Sequence, residues 1–148
     1  MAEIGTLSKV LHVRENEKKV VQKAYKDAID SFETVATELY YVLKQKEEAE
    51  KRYDQYIQSS VAIEKVIQTM DYINELNGQI MELQSKVHIA RNNMESKQLQ
   101  LSDAYVEVKK YEKIIEHINK ENMDEKKRRE SAFMDEISMF QYLRHKSR

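Results

Sequence analysis

Histidine is the residue type in this chain best suited to proton transfer or metal binding, but the spacing of the histidines supports neither. The four histidines are His12, His88, His117 and His145. No two of them stand four residues apart on one helical face, and the 148-residue chain has no cysteine to join them. The sequence therefore offers no zinc or di-iron ligand set. We interpret each histidine as a surface residue or as one at the edge of a helix contact.

Other chemistry is equally unsupported by the sequence. The chain has no GxxxxGK[ST] and no GxGxxG motif, so a nucleotide site is not indicated. The formal net charge is −1, which gives no general attraction to nucleic acid. No apolar run is long enough to cross a membrane, and no signal-peptide core is present. We predict a non-enzymatic cytoplasmic protein that has no cofactor, does not insert into a membrane and does not bind nucleic acid.

The second half of the chain carries a long seam of apolar residues with alternating gaps of three and four. The seam positions are Ile73, Leu76, Ile80, Leu83, Val87, Ala90, Met94, Lys97, Leu101, Ala104, Val108, Tyr111, Ile115 and Ile118. Only Lys97 is not apolar. This period is typical of a coiled coil, in which the seam faces a partner helix. The main role of such a chain is contact with other molecules.

The first half carries a weaker seam of the same period. Its positions are Leu7, Leu11, Arg14, Lys18, Val21, Tyr25, Ala28, Phe32, Val35, Leu39, Val42, Lys46, Ala49, Tyr53 and Tyr56. Arg14, Lys18 and Lys46 interrupt it, but long basic side chains can bury their stems and keep their charged ends in water. The chain contains no proline and only two glycines, which permits very long helices.

The two seams are out of phase by one residue, and the slip lies between about residues 57 and 66. Gln58, Ser59 and Ser60 lie in this window, and a serine there could cap the helix that follows. We predict an all-α antiparallel two-helix coiled-coil hairpin with a longer second helix. One continuous helix with a skip residue, paired with a second chain, is the alternative. Asn77-Gly78 is a weaker turn candidate, because the seam passes through it unbroken.

The predicted domain is a single coiled coil over residues 1–148. Helix 1 spans about 3–57, the turn about 58–62 and helix 2 about 63–143. Because the first helix is shorter, residues from about 119 onward form a C-terminal overhang without a partner. A frayed terminus, or a helix bent back on the rod, is the alternative for this segment.

The overhang contains a basic run followed by apolar residues. The run is Lys126, Lys127, Arg128 and Arg129, and the apolar residues include Phe133, Ile137 and Phe140. The run either is simply solvated, docks on an acidic protein lining or, least favoured, touches nucleic acid. Outside the overhang, Tyr72 lies off its seam, and Tyr40, Tyr41 and Leu43 widen the apolar surface of helix 1. Aromatic residues outside a seam are candidate contact residues.

Four stretches in order along the chain resemble the flagellar FliJ family of the type III export apparatus. Residues 7–18, LSKVLHVRENEK, resemble the family's opening motif. Residues 32–36, FETVA, followed by Leu39 and Tyr40, resemble its Gram-positive members. Tyr72 and Ile73, with Leu76 and Ile80, are similar to a segment of its second helix, and residues 108–113, VKKYEK, to its "vKk.EK" region.

This resemblance implies a two-helix coiled coil like the γ stalk of rotary ATPases. It implies three partners: a hexameric flagellar export ATPase, the cytoplasmic domain of the membrane-embedded export gate, and the export chaperones. The ATPase-facing end would comprise Leu7, Leu11, Arg14, Lys126, Lys127, Arg128, Arg129, Phe133, Ile137 and Phe140. Tyr72 and Leu76 would face the gate.

The function expected from the resemblance is that of a stalk-like regulator of the export ATPase. We expect the free protein to be a monomer, located in the cytoplasm and peripherally at the inner face of the membrane at the flagellar base, in a system linked to chemotaxis. Two alternatives from other classes are a homodimeric coiled-coil scaffold and a holdase-like chaperone that binds unfolded export substrates through Tyr40, Tyr41 and Leu43.

Overall fold

The protein consists of two long α-helices joined by a short loop. In the computed structural model, which describes residues 2–147, helix α1 spans Ala2–Gln58 and helix α2 spans Ile63–Lys146. The helices contain 57 and 84 residues, so the second is the longer. The prediction of an all-α two-helix hairpin is confirmed. Asn77-Gly78 lies inside α2, and no described glycine has a positive φ, so this pair forms no turn.

The described chain divides into two compact units. One comprises the chain up to Lys18 and from Ala104 onward, and the other comprises Lys19–Asp103. That the chain is one domain stays a prediction.

Each unit pairs a segment of α1 with an antiparallel segment of α2. In the first unit, Arg14 lies over Tyr111 and Lys18 over Tyr105. In the second unit, Arg91 lies over Phe32, and Arg52 lies over Tyr72. In both, rising residue numbers on α1 match falling numbers on α2.

The core of the helix pair follows the predicted seams. Every position of both seams is buried or half-buried in the structure. The most buried apolar residues are Ala28, Ala49, Leu76, Ile80, Leu83 and Val108. A pair of helices can enclose only a narrow stripe, so most seam residues keep some exposure to solvent.

The basic residues that interrupt the first seam have partners on the helix surface. Lys18 Nζ lies 4.5 Å from the centroid of the Tyr105 ring, and Lys46 Nζ lies 3.7 Å from Glu50 Oε1. Such contacts place the charge at the edge of the seam while the aliphatic stem packs inside. Two-helix packing therefore tolerates these charges without burying them.

The loop of residues 59–62 ends α1 by hydrogen bonds from Ser59. Both its backbone N–H and its hydroxyl donate to the carbonyl oxygen of Gln55, at 3.1 and 2.8 Å. The expectation that a serine caps the following helix is wrong. Ala62 directly precedes α2, and alanine has no side-chain acceptor.

Candidate interaction surfaces

The C-terminal part of α2 extends past the last seam residue as an uncovered helix. Ile118 is half-buried, whereas residues 119–147 are all exposed apart from Ile137, which is half-buried. The exposed large apolar residues in this segment are Met123, Phe133, Met134, Met139, Phe140, Tyr142 and Leu143. We call residues 119–147 the overhang. It is helical through Lys146 and offers apolar side chains on several faces.

The basic run of the overhang lies in water. Lys126, Lys127, Arg128 and Arg129 are all exposed. Arg129 pairs with Glu125 of its own helix at 2.7 Å, a surface contact of small energetic value. The run places four cations within about one turn of helix, beside the apolar residues that follow, and Asp124, Glu125 and Glu130 flank it.

The N-terminal candidates Leu7, Leu11 and Arg14 are half-buried seam residues in the same unit as the overhang. Arg14 donates to Glu17 at 3.0 Å and lies 6.0 Å from the centroid of the Tyr111 ring. Hydrogen bonding to Glu17, and then to Tyr111, raises the pKa of Arg14 above its usual value. Arg14 therefore contacts α2 through Tyr111 and remains only half-buried.

The two gate-contact candidates occupy different environments. Tyr72 is 38% exposed, and the guanidinium of Arg52 lies 6.0 Å from its ring centroid. Leu76 is only 2% exposed and is the largest fully buried side chain among the described residues. Leu76 therefore packs between the helices one turn from Tyr72, and of the two only Tyr72 has substantial exposed surface.

An aromatic surface lies on α1 outside the seam. Tyr40 and Tyr41 are 58% and 60% exposed, and their rings meet edge to face with centroids 5.8 Å apart. Leu43 is also exposed. Tyr41 lines a shallow groove between the helices with Val42, Gln45, Gln79 and Leu83. Paired, rigid and exposed aromatic rings of this kind are typical anchors of protein interfaces.

Sequence reasoning missed an apolar cluster beside the loop. Ile57, Ile63, Ile67 and Met70 each have half or more of their surface exposed. The last three stand at i, i+4 and i+7, which places them on one helical face next to the seam. This spacing could have revealed the cluster from the sequence. It was overlooked because only one apolar face of α2 was considered, the seam that begins at Ile73.

The described residues contain no group of metal-binding side chains and no membrane-spanning helix. Over residues 2–147, no group of three or more histidine, aspartate or glutamate side chains is positioned to hold a metal ion. Neither α1 nor α2 contains a stretch long and apolar enough to span a bilayer.

Comparison with known proteins identifies the family. The family model described as "Flagellar FliJ protein" matches residues 3–147. The Flagellar FliJ protein of Bacillus subtilis (strain 168) is 32% identical over 135 residues, which cover 91% of this chain and 92% of that protein. A solved structure from Chlamydia trachomatis, described as a YscO homolog, is 21% identical with a TM-score of 0.42 and covers 96% of each chain. On the family match and the identity to the Bacillus protein, the chain belongs to the flagellar FliJ family.

Proposed function

We propose that this chain is a non-enzymatic, stalk-like regulator that docks on the hexameric ATPase of the flagellar export apparatus. Its family membership makes it a component of flagellar export. The overhang is the single observation that carries the docking proposal. About 28 residues of helix expose apolar and basic side chains, and α1 lies alongside only the first few of them.

The proposed docking end combines the overhang with the N-terminal segment of α1. Both belong to the same compact unit. Phe133, Ile137 and Phe140 supply apolar contacts, and the basic run 126–129 pairs with carboxylates of the ATPase. Leu7, Leu11 and Arg14 hold the base of the overhang and border the contact surface.

The regulatory mechanism follows from symmetry. A single two-helix protein cannot contact six identical subunits equivalently, so a few subunits receive contacts that the others lack. Contacts that favour one nucleotide state over another shift that state's population and promote ring assembly. This action requires only that the protein binds one nucleotide state of the ATPase more tightly than another, and a surface of apolar and charged side chains can provide such binding.

The direct test is the ATP hydrolysis rate of the purified export ATPase from the same organism, with and without stoichiometric amounts of this protein. We expect a clear rise in rate. An ATPase that is active and able to oligomerise, yet unaffected by the added protein, would contradict the docking proposal.

We further propose that Tyr72 contacts the cytoplasmic domain of the export gate, with Leu76 fixing its position from the core. Tyr72→Ser should weaken binding to the purified gate domain by about tenfold or more, because exposed aromatic anchors carry much of the energy of an interface. Isothermal titration calorimetry measures this. Ile89→Ser, which removes another exposed side chain of α2, is the matched control. Equal affinity for Tyr72→Ser and wild type would remove Tyr72 from the gate contact.

The Tyr40–Tyr41 surface is proposed as the site for export chaperones or, in the holdase alternative, for unfolded export substrates. A variant with Tyr40→Ser, Tyr41→Ser and Leu43→Ser should lose binding to a purified export chaperone while its circular dichroism remains unchanged. Val20→Ser, at a distant exposed position of α1, should bind normally. Loss of protection of an unfolded substrate without loss of chaperone binding would favour the holdase role. Unchanged behaviour in both assays would exclude this surface.

A further inference from the structure

The overhang carries a second seam that is distinct from that of the helix pair. Continued past Ile118, the seam of α2 would take Asn122, Glu125 and Arg129, all polar. A new series with gaps of three and four begins instead one residue later. Its members are Met123, Lys126, Glu130, Phe133, Ile137 and Phe140, and we call it the overhang seam. It is rotated away from the face that α1 covers, so the fold of one chain leaves it open.

The first helix begins level with the first member of this seam and lies alongside none of the later members. Because Arg14 is level with Tyr111, the start of α1 at Ala2 is level with about residue 123. Beyond Met123 the overhang seam therefore lies along bare helix, and Met123, Phe133 and Phe140 are all exposed. Helices of this length gain most of their stability by packing an apolar face against another element, so an unpaired stripe of this kind favours association.

The seam is complementary to itself in antiparallel orientation. With a two-fold axis between Ser131 and Ala132, its six members form three kinds of layer: Met123 faces Phe140, Lys126 faces Ile137, and Glu130 faces Phe133. Every member thus meets another member, with the alternation of positions that an antiparallel coiled coil requires. Apolar residues close both ends of the contact, and the two charged positions face large apolar side chains over which their stems can lie.

The charges beside the seam are complementary in the same register. Arg129 of one copy flanks the seam next to Glu136 of the other, and the two-fold axis makes this pair twice. The basic run 126–129 lies alongside the segment with Asp135 and Glu136. Arg129 already donates to Glu125 at 2.7 Å, but a guanidinium carries five N–H donors and can donate to a second carboxylate as well. A parallel pairing would instead place the basic runs together, at an electrostatic cost.

We propose that two copies of this chain associate through an antiparallel coiled coil of their overhang seams. The contact spans 18 residues, or about 27 Å of helix, which is short for a two-stranded coil. The two hairpin seams cover one another within one chain, which by itself favours the monomer expected from the sequence. Because a single chain leaves the overhang seam uncovered, the protein is a monomer at low concentration and a dimer at high concentration.

Dimerisation would also regulate docking, a consequence that rests on the proposed function. The dimer covers Phe133, Ile137 and Phe140, which are the proposed ATPase contacts. Self-association and docking on the ATPase then exclude one another, so the dimer is an inactive store of the protein.

Sedimentation equilibrium of the full-length protein across a wide concentration range tests the dimer. We expect wild type to dimerise in the micromolar range and Phe140→Ser to weaken the dimer by at least about tenfold. Met139→Ser is the matched control, because Met139 is 68% and Phe140 70% exposed and only Phe140 lies on the seam. A wild-type protein that stays monomeric at the highest attainable concentration, or equal effects of the two variants, would overturn the proposal.

The register has its own test in a charge swap. Arg129→Glu and Glu136→Arg should each weaken the dimer by about fivefold, since each places like charges together twice. The double variant should regain wild-type affinity, and a mixture of the two single variants should form a heterodimer. A purely structural effect on the helix would not be rescued in this way. If the double variant remains as weak as the singles, the antiparallel register is wrong. This outcome does not depend on whether the protein stimulates the ATPase.

Discussion

Deletion of residues 119–148 is expected to return ATP hydrolysis to the rate of the export ATPase alone. The deletion removes the basic run and the apolar residues Phe133, Ile137 and Phe140, which are the proposed ATPase contacts in the overhang. It leaves both hairpin seams complete, because the last seam residue is Ile118. The loss should therefore be specific to docking. Steady-state hydrolysis, measured at equal concentrations of full-length and truncated protein, gives the comparison.

The thermal unfolding midpoint of the truncated protein is the control for folding. Exposed residues contribute little to stability, so the midpoint should stay close to that of the full chain. Met139→Ser in the full-length protein, a change away from the three apolar candidates, should still stimulate. A truncated protein that is folded and stimulates as well as the full chain would place the docking end elsewhere, with the N-terminal segment that contains Leu7 and Leu11 as the remaining candidate.

The helical architecture could be predicted from the sequence because it depends on one strong periodic signal. The repeat of apolar residues at gaps of three and four identified both seams, and the one-residue shift between the two repeats located the loop. The function of Ser59 was not predictable in the same way. Whether a serine hydroxyl bonds the helix before it or the one after it depends on loop geometry, and the loop places Ala62 rather than a serine directly before α2.

The candidate surfaces were only partly predictable, because exposure depends on which face the partner helix covers. Tyr40 and Tyr41 fell outside their seam and are exposed. Leu76 belonged both to the seam, which predicted packing against the first helix, and to the motif that resembles the family, and the structure shows that it is buried. The apolar cluster of Ile57, Ile63, Ile67 and Met70 went unnoticed because a second apolar face beside a strong seam adds little to the periodic pattern.

Leu76→Ala is expected to destabilise the fold by about 2–5 kcal/mol, the usual cost of truncating a buried leucine. Leu76 is 2% exposed in a helix pair whose other seam positions are mostly only half-buried. By the register that places Arg52 over Tyr72, it lies level with Ala49, which is fully buried. A small residue on one helix thus makes room for a large one on the other, and alanine at both positions would leave a cavity between the helices. Urea unfolding followed by circular dichroism measures the change.

Met81→Ala is the control that separates the loss of buried side-chain packing in Leu76→Ala from any change in helix propensity. Met81 is 70% exposed on the same helix, and its truncation should change the unfolding free energy by no more than about 0.5 kcal/mol. If Leu76→Ala is equally mild, the helices do not pack at Leu76 as described, and a direct contact between Leu76 and the gate becomes the better explanation of its place in the shared motif. If Leu76→Ala is strongly destabilising, any loss of gate binding in that variant follows from misplacement of Tyr72. Tyr72→Ser, whose side chain is only partly buried, is then the variant that isolates the contact itself.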